Sequence, residues 1–323
     1  MKTALAVLKI VVSVGLLSLL LSRTDGRALL SQFAHMSWRW TAAALVAYTA
    51  MLATSAWRWR LLLQTQKIDV RLGHLTKSFL VATFFNNFLP SNIGGDVIRI
   101  ADTAPHTGSK TLATTVVLVD RLVGLLALLG LGAAASAIAA SSGIQLVGVR
   151  YLWIALVVVI GGMLFALGHP DFMARLVRTV VQKSGRAASL QQRGENLLLG
   201  LGRFRDKPSS LVTAFAGALI VQGLLVVFYL CAARSLAVPF PLLAACVIVP
   251  VSLAVQMVPL SINGFGVREA VFAAFFQSLG LSVSSALALS LGAAAFIMVF
   301  SLAGGVVFLF RQQPTLDSQV SAA

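Results

Sequence analysis

The sequence predicts an all-α integral membrane protein, and three observations support this prediction. Hydrophobic residues make up 58% of the 323 residues, whereas charged residues make up only 11%. A soluble domain has about 25% charged residues, so this chain cannot cover its own surface for water. The mean hydropathy is +0.91. The apolar residues also form runs that are long enough to cross the roughly 30 Å hydrocarbon layer of a bilayer.

Six apolar runs have about the length of a transmembrane helix, and two further apolar regions are broken by Pro, Asn and Gly. The full-length runs are 4–22, 40–63, 111–140, 151–168, 209–232 and 283–310. The broken regions are 78–100 and 242–279. We therefore expect about six full transmembrane helices and two broken helical hairpins, about eight membrane segments, in one polytopic domain at 1–311.

Both ends of the chain are expected to lie in the cytoplasm. The run 4–22 follows Lys2, and because no A-x-A cleavage site comes after it, we expect a retained first span rather than a signal peptide. The tail 312–323 is polar and is expected to be disordered.

The formal net charge of +15 comes mainly from Lys and Arg between the apolar runs, which indicates membrane topology rather than binding to nucleic acid. The segments 58–77 and 169–208 are rich in Lys and Arg, so we expect them in the cytoplasm. The segments 141–150 and 233–241 hold one Arg each and are expected outside.

The sides assigned to the flanking segments then determine on which side of the membrane each broken region begins and ends. The segment 78–110 must begin and end on the cytoplasmic side, which predicts a re-entrant hairpin. The segment 242–279 must begin and end outside, either as a second re-entrant hairpin or as two short spans. The half 1–140 and the half 151–311 thus have the same construction in opposite orientations. Such an inverted repeat with broken helices indicates the midplane site of a transporter.

The connector 169–208 joins the two halves. Its part 170–182 has Phe172, Leu176 and Val180 on one helical face and basic residues elsewhere, which suits a helix on the inner membrane surface. A solvated connector is the alternative.

The two broken regions follow one pattern, in which an apolar helix ends at Pro and an acid and an Arg follow the glycines. The polar and helix-breaking residues of the first region are Asn86, Asn87, Pro90, Ser91, Gly94, Gly95, Asp96 and Arg99. Those of the second are Pro259, Ser261, Asn263, Gly264, Gly266, Arg268 and Glu269.

This pattern has a direct chemical meaning. Pro stops a helix and Gly allows a sharp turn, and uncoiled backbone at membrane depth must be buried in protein or line a wet cavity. The helix that restarts after the glycines directs its N-terminus inward, where it attracts anions. We therefore predict that these residues bind substrate. The alternative is a pair of kinked helices sealed by their own Asn and Ser groups.

Asp120 and Arg121 lie within an apolar run, near the middle of the predicted membrane layer. Charged groups there are costly and must be paired in the protein interior. Because adjacent residues point about 100° apart on a helix, we expect partners elsewhere: Asp96 or Glu269 for Arg121, and Arg99 or Arg268 for Asp120. This feature predicts either a charged cavity wall or a structural ion pair that locks the helices.

Two aromatic–arginine segments, Trp38-Arg39-Trp40 and Trp57-Arg58-Trp59-Arg60, flank the second predicted span. We interpret them as aromatic belts with snorkelling arginines rather than as a nucleic-acid surface. No HExxH, GxxxxGK[ST] or strand-linked GxGxxG motif is present, so we expect no cofactor, no metal and no catalytic residue.

Three blocks of the sequence resemble the flippase-like membrane family related to the membrane domain of lysylphosphatidylglycerol synthase. They are Phe85 to Arg99, Val119 to Leu122, and Ser261 to Ala270, in the order found in that family. In such synthases a soluble domain moves an aminoacyl group from tRNA to lipid. This chain ends at Ala323, soon after its last predicted span, so the resemblance implies the flippase part.

The sequence thus predicts a flippase of the bacterial cytoplasmic membrane. Its cargo is expected to be a lipid with a polar or anionic headgroup: a phospholipid, a glycolipid, a hopanoid or a polyprenyl-linked lipid. Expected partners are membrane lipids and enzymes of lipid biosynthesis. The alternatives are a membrane-embedded glycosyl- or aminoacyl-transferase, with Asp96 as its base, and a non-catalytic partner of a lipid-modifying complex.

Overall fold

The computed structural model describes residues 14–16, 18–22, 32–88, 94–143, 148–169, 204, 208–257, 261 and 263–311. Within these ranges the regular structure is helical. The long helices are α1 (Trp38–Thr65), α2 (Leu72–Phe88), α3 (Gly94–Thr107), α4 (Lys110–Ser141), α5 (Val149–Gly168), α6 (Pro208–Ser235), α7 (Leu242–Met257), α8 (Val267–Ser278) and α9 (Val283–Phe310).

Helices α4, α6 and α9 are long and apolar enough to cross a membrane. Helix α1 has 28 residues, about the same length, but its C-terminal half contains Arg58 and Arg60. Helices α5 and α7 are apolar but shorter. In the described ranges the protein is therefore all-helical, and three of these helices are apolar and of membrane length. The predicted span 4–22 lies mostly outside the described residues, as do the connector part 170–182 and the tail 312–323.

Serine caps fix the starts of two of the long helices. The hydroxyl of Ser109 accepts a hydrogen bond from the backbone N–H of Leu112, and the hydroxyl of Ser282 accepts one from that of Ser285. Each cap satisfies a backbone donor that the first turn of a helix leaves without a partner. Both serines stand directly before long apolar helices, α4 and α9, so the sequence marks where each helix begins.

Helices α1 and α6 pack together in antiparallel fashion along their lengths. At one end, the hydroxyls of Thr41 and Ser235 lie 2.7 Å apart. At the other end, Leu61 and Thr65 face Ser209 across a cavity of about 220 Å³. These two helices occupy corresponding positions in the two predicted halves, and their contact joins those halves.

Each broken region returns toward the place where it began. The rings of His74, near the start of α2, and His106, at the end of α3, lie 5.1 Å apart. In the second region, Phe240 precedes α7 and its ring lies 5.5 Å from that of Phe276 near the end of α8. The helix pairs α2–α3 and α7–α8 are therefore both hairpins.

The hairpins pack across the two halves. Helix α2 lies against α9, and α7 lies against α4. At the first seam Gly304 of α9 has no room for a side chain, because a Cβ there would overlap the carbonyl oxygen of Leu80. The first arm of each hairpin thus rests on the last long helix of the opposite half.

Candidate functional site

The first break is held together by Asn86. Helix α2 ends at Phe88 and α3 begins at Gly94, and the Asn86 side-chain oxygen accepts a hydrogen bond of 2.7 Å from the N–H of Gly95. A Cβ on Gly95 would lie 2.5 Å from the carbonyl oxygen of Ala82, so only glycine allows this approach. Asn86 therefore satisfies a backbone donor that the interrupted helix would otherwise leave open. Pro90 and Ser91 lie outside the described residues.

The turn of the second break contains three positions with positive φ. Asn263, Gly264 and Gly266 have φ values of 48°, 75° and 83°, a region that L-residues other than Asn rarely adopt. The backbone N–H of Gly266 donates a hydrogen bond of 2.7 Å to Glu269 Oε2, which closes the start of α8. Ser261 is buried beside this turn, and Pro259 lies outside the described residues.

The two breaks meet. The Asn263 side-chain amide donates a hydrogen bond of 3.1 Å to the side-chain oxygen of Asn87, although the two residues are 176 positions apart. One asparagine stands in each predicted half. The sequence assigned both residues to the same site, and the structure brings them into contact.

A cavity of about 180 Å³ lies between the breaks. Its walls are formed by side chains of both halves: Asn86, Arg121, Leu253, Gln256, Met257 and Asn263. Three amides and one arginine face two apolar side chains there. Such a lining suits a ligand that is polar at one end and apolar at the other.

A chain of five ionised side chains runs from this cavity into the protein. Arg121 pairs with Asp96, Asp96 lies 3.8 Å from Arg99, and Arg99 donates at 2.8 Å to Asp120. Arg58 donates at 2.8 Å to the other oxygen of Asp120. The predicted partners Asp96 for Arg121 and Arg99 for Asp120 are thereby confirmed. We call these five residues the ionic chain.

Aromatic rings hold Arg99 in place. Its guanidinium carbon lies 4.3 Å from the centre of the Trp59 ring and 4.6 Å from that of Phe79. At these distances the ring faces attract a cation. The arginine is thus oriented toward Asp120 by two helices besides its own.

The belt interpretation of Arg58 and Trp59 is wrong. Arg58 is 6% exposed and Trp59 is fully buried, because α1 continues to Thr65 and directs both side chains into the core. Trp38 and Trp57, in contrast, are exposed. A signal for Arg58 was present in the sequence, because Met51, Ser55 and Leu62 share its helical face at a spacing of three to four residues, and these are also buried.

The two charged residues of the second break, Arg268 and Glu269, pair with each other. Glu269 is fully buried and accepts hydrogen bonds from Arg268 at 2.6 Å and from Ser290 at 2.8 Å. Arg268 also donates to Ser290. The alternative partners considered for Arg268 and Glu269, namely Asp120 and Arg121, are not the ones found. Arg268 does not line the cavity described above.

The predicted site residues therefore fall into three groups. Asn86, Arg121 and Asn263 line the cavity. Asp96, Arg99 and Asp120 lie behind it in the ionic chain. Arg268 and Glu269 close the second break, and the glycines allow the turns. In the described part of the chain, no three His, Cys, Asp or Glu side chains gather as a metal ion would require.

Most of the chain matches a known protein family. The sequence model of the family described as "Lysylphosphatidylglycerol synthase TM region" matches residues 6–305. A search of the curated proteins finds no match to the chain. The matched region includes both breaks, the ionic chain and the cavity.

Proposed function

This chain belongs to the family of the lysylphosphatidylglycerol synthase transmembrane region, and from this membership and the cavity between the breaks we propose that it is a lipid flippase. It would move a lipid with a polar or anionic headgroup between the leaflets of the bacterial cytoplasmic membrane. The family membership supports a function related to membrane lipids. The step to transport rests on the geometry of the site.

The observation that supports transport most directly is the meeting of the two breaks at Asn87 and Asn263 beside an amphipathic cavity. Uncoiled backbone in a membrane needs protein or a wet cavity around it. In transporters, paired broken helices commonly form the substrate site. The polar amides and Arg121 would hold a headgroup, while Leu253 and Met257 would contact its apolar part.

The proposed fold is an inverted repeat with two re-entrant hairpins. Reciprocal packing between the halves supports this fold, because α2 of the first half packs against α9 of the second and α7 of the second packs against α4 of the first. Helix lengths support it too: α3 and α8 have 14 and 12 residues, or about 21 and 18 Å at 1.5 Å per residue, short of a 30 Å layer.

Rocking of one half against the other is the proposed mechanism, with the α1–α6 contact as the central interface and the meeting breaks as the part that opens. With both chain termini in the cytoplasm, the first hairpin would enter from inside and the second from outside. Thiol labelling tests this orientation. Cysteines placed at His74 and at Leu242, near the open ends of the two hairpins, should react with impermeant reagents from opposite sides.

The decisive experiment for function is reconstitution in liposomes that contain lipids with a fluorescent acyl chain. A membrane-impermeant quencher then reports which leaflet holds each lipid. Faster exchange between leaflets without chemical change supports a flippase. When a glycosyl or aminoacyl donor is added to the same liposomes, a chemically modified lipid, detected by mass spectrometry, would instead support a transferase that uses Asp96. If no lipid mixture shows exchange or a product, the flippase and the transferase are both rejected. The remaining interpretation is then a non-catalytic partner of a lipid-modifying complex.

A further inference from the structure

The two helices that restart after the breaks, α3 and α8, are held in different ways. In α8 the side chains of Phe272, Ala273, Phe275 and Phe276 are all buried. The ring of Phe272 also stacks on that of Tyr229, with the ring centres 5.5 Å apart. Van der Waals contact between closely packed side chains is what holds a helix against its neighbours in a membrane. Helix α8 is therefore fixed in the core of the second half.

Across its described span, α3 lacks such packing. Its buried residues are Gly95, Asp96, Arg99 and Thr103, and none of these carries an apolar side chain. Val97, which is apolar, is 58% exposed. The contacts that hold α3 are therefore mainly polar. Water can replace the partner of a polar group when a cavity opens, whereas it cannot replace apolar packing.

Arg99 ties α3 to its own half. It donates a hydrogen bond of 2.8 Å to Asp120 and lies between two aromatic rings. One turn earlier, Asp96 contacts Arg121 at the wall of the cavity. The side chain of Arg121 is 37% exposed, whereas that of Arg99 is 6% exposed. Water therefore reaches the contact at the cavity wall more readily than the contact at Arg99.

An ion pair joins the C-terminal half of α3 to the opposite half of the protein. Arg311, directly after α9, donates a hydrogen bond of 2.8 Å from Nη1 to Asp102 Oδ2. The guanidinium carbon of Arg311 also lies 5.0 Å from the centre of the Phe308 ring. The side chains of Arg311 and Asp102 are 24% and 9% exposed. A pair that is partly open to solvent breaks and forms again at a small cost in free energy.

From these contacts we propose that α3 is a gate beside the cavity and that the pair Asp102–Arg311 is the latch that holds this gate closed. When the latch opens, α3 moves while Arg99 keeps it attached, and Asp96 leaves Arg121. The cavity then opens on the side of the first hairpin, while α8 stays in place. This local movement adds to the proposed rocking of the halves. Its consequence for lipid access rests on the proposed function, whereas the movement of α3 does not.

Hydrogen–deuterium exchange of the purified protein in detergent micelles tests the movement without any transport. Helices α3 and α8 form a matched pair, because they have 14 and 12 residues and each follows a break. We expect the amide hydrogens of α3 to exchange faster than those of α8 by about tenfold, because polar contacts open more readily than a packed core. Equal or slower exchange in α3 overturns the gate.

The latch is tested with the same measurement on single variants. Arg311→Gln and Asp102→Asn should each raise the exchange rate in α3 several-fold and leave α8 unchanged. Arg311→Lys keeps the charge and should keep most of the protection. Arg60→Gln is the matched control, since it breaks the exposed pair with Asp69 at the end of α1 and should change neither helix. Unchanged exchange in α3, or faster exchange in both helices, overturns the latch, because the second result would mean that the pair supports the whole fold.

A cross-link connects the gate to transport. Cysteines at Asp102 and Arg311, with Cys231 and Cys246 replaced by alanine, are joined by a cleavable bifunctional thiol reagent in liposomes that contain the labelled lipids. Exchange of lipids between leaflets should stop on cross-linking and return when the linker is cleaved. Full lipid exchange after complete cross-linking overturns the gate and leaves the flippase. If no lipid exchanges even before cross-linking, the flippase fails, and the deuterium exchange of α3 and α8 still decides the gate.

Discussion

The Nε of Arg58 lies 2.8 Å from an oxygen of Asp120, and neither side chain is more than 7% exposed. This contact joins α1 to α4 at the buried end of the ionic chain. It also leaves Arg58 Nη1 without a hydrogen-bond partner in the described ranges. Asp120 thus receives two arginines, from α1 and from α3, and it is the residue through which these three helices are tied.

We predict that Arg58→Met lowers the free energy of unfolding by about 3 kcal/mol. Removing Arg58 takes one of two counter-charges and a charged hydrogen bond from the buried carboxylate of Asp120. The measurement is equilibrium unfolding in mixed micelles, followed by tryptophan fluorescence. Arg60→Met, two residues along the same helix, breaks an exposed pair and should cost less than about 1 kcal/mol. Equal losses in the two variants would contradict a buried role for Arg58.

The contact between Asn87 and Asn263 predicts that joining the breaks stops transport. Cysteines at these two positions, in a background where Cys231 and Cys246 are replaced by alanine, should be linked by a short bifunctional thiol reagent. Lipid exchange in liposomes should then fall to the protein-free rate, because the halves can no longer separate. Reagents that modify a single thiol serve as the control. Full exchange after complete cross-linking would exclude the opening of this contact from the mechanism.

The buried ion pair between Arg268 and Glu269 predicts a structural role for Glu269. Glu269→Gln should lower the free energy of unfolding by about 3 kcal/mol, because it leaves the buried Arg268 without its counter-charge. Ser290→Ala should cost less, about 2 kcal/mol, since it removes one neutral donor to a charged acceptor. Size-exclusion profiles and unfolding curves provide the readout. A stable Glu269→Gln protein that has lost only lipid exchange would place Glu269 in the transport step instead.

The seam between α2 and α9 predicts that Gly304→Ala destabilises the protein. Its new methyl group would overlap the carbonyl oxygen of Leu80, so the two helices must separate. We expect a loss of about 1 to 3 kcal/mol in the free energy of unfolding. Gly223→Ala is the control, because a Cβ there meets nothing within 4 Å and alanine favours a helix by up to about 1 kcal/mol. Similar curves for both variants would argue against a close α2–α9 contact.

Local signals in the sequence located the helices and the breaks. The runs 111–140, 209–232 and 283–310 correspond to α4, α6 and α9, and serine caps mark the starts of α4 and α9. Length and hydropathy are properties of a continuous segment, so they can be read without knowing what packs against it. The family resemblance was also correct, because it rests on short blocks of consecutive residues.

The sequence predicted only some of the ion-pair partners correctly. The depth of Asp120 and Arg121 required opposite charges nearby, and the two breaks offered two acids and two arginines. Of these, Asp96 and Arg99 are the partners found, while Arg268 and Glu269 pair with each other. Arg58 went unrecognised because a WRWR segment at the end of a span fits a membrane belt equally well. Its helical spacing from Met51, Ser55 and Leu62 indicated the buried face, and the structure shows that α1 continues through it to Thr65.

By itself, the sequence determined that this protein is helical, that it belongs in a lipid bilayer, and that its chain breaks at two related places. The tertiary structure decided which charges meet: it made Arg121 the cationic wall of a cavity, buried Arg58 on Asp120, and closed Arg268 onto Glu269. The physical reason is that hydropathy and helix breaking act over neighbouring residues, whereas ion pairing in a low-dielectric interior depends on distances of a few ångströms between helices that are far apart in the chain.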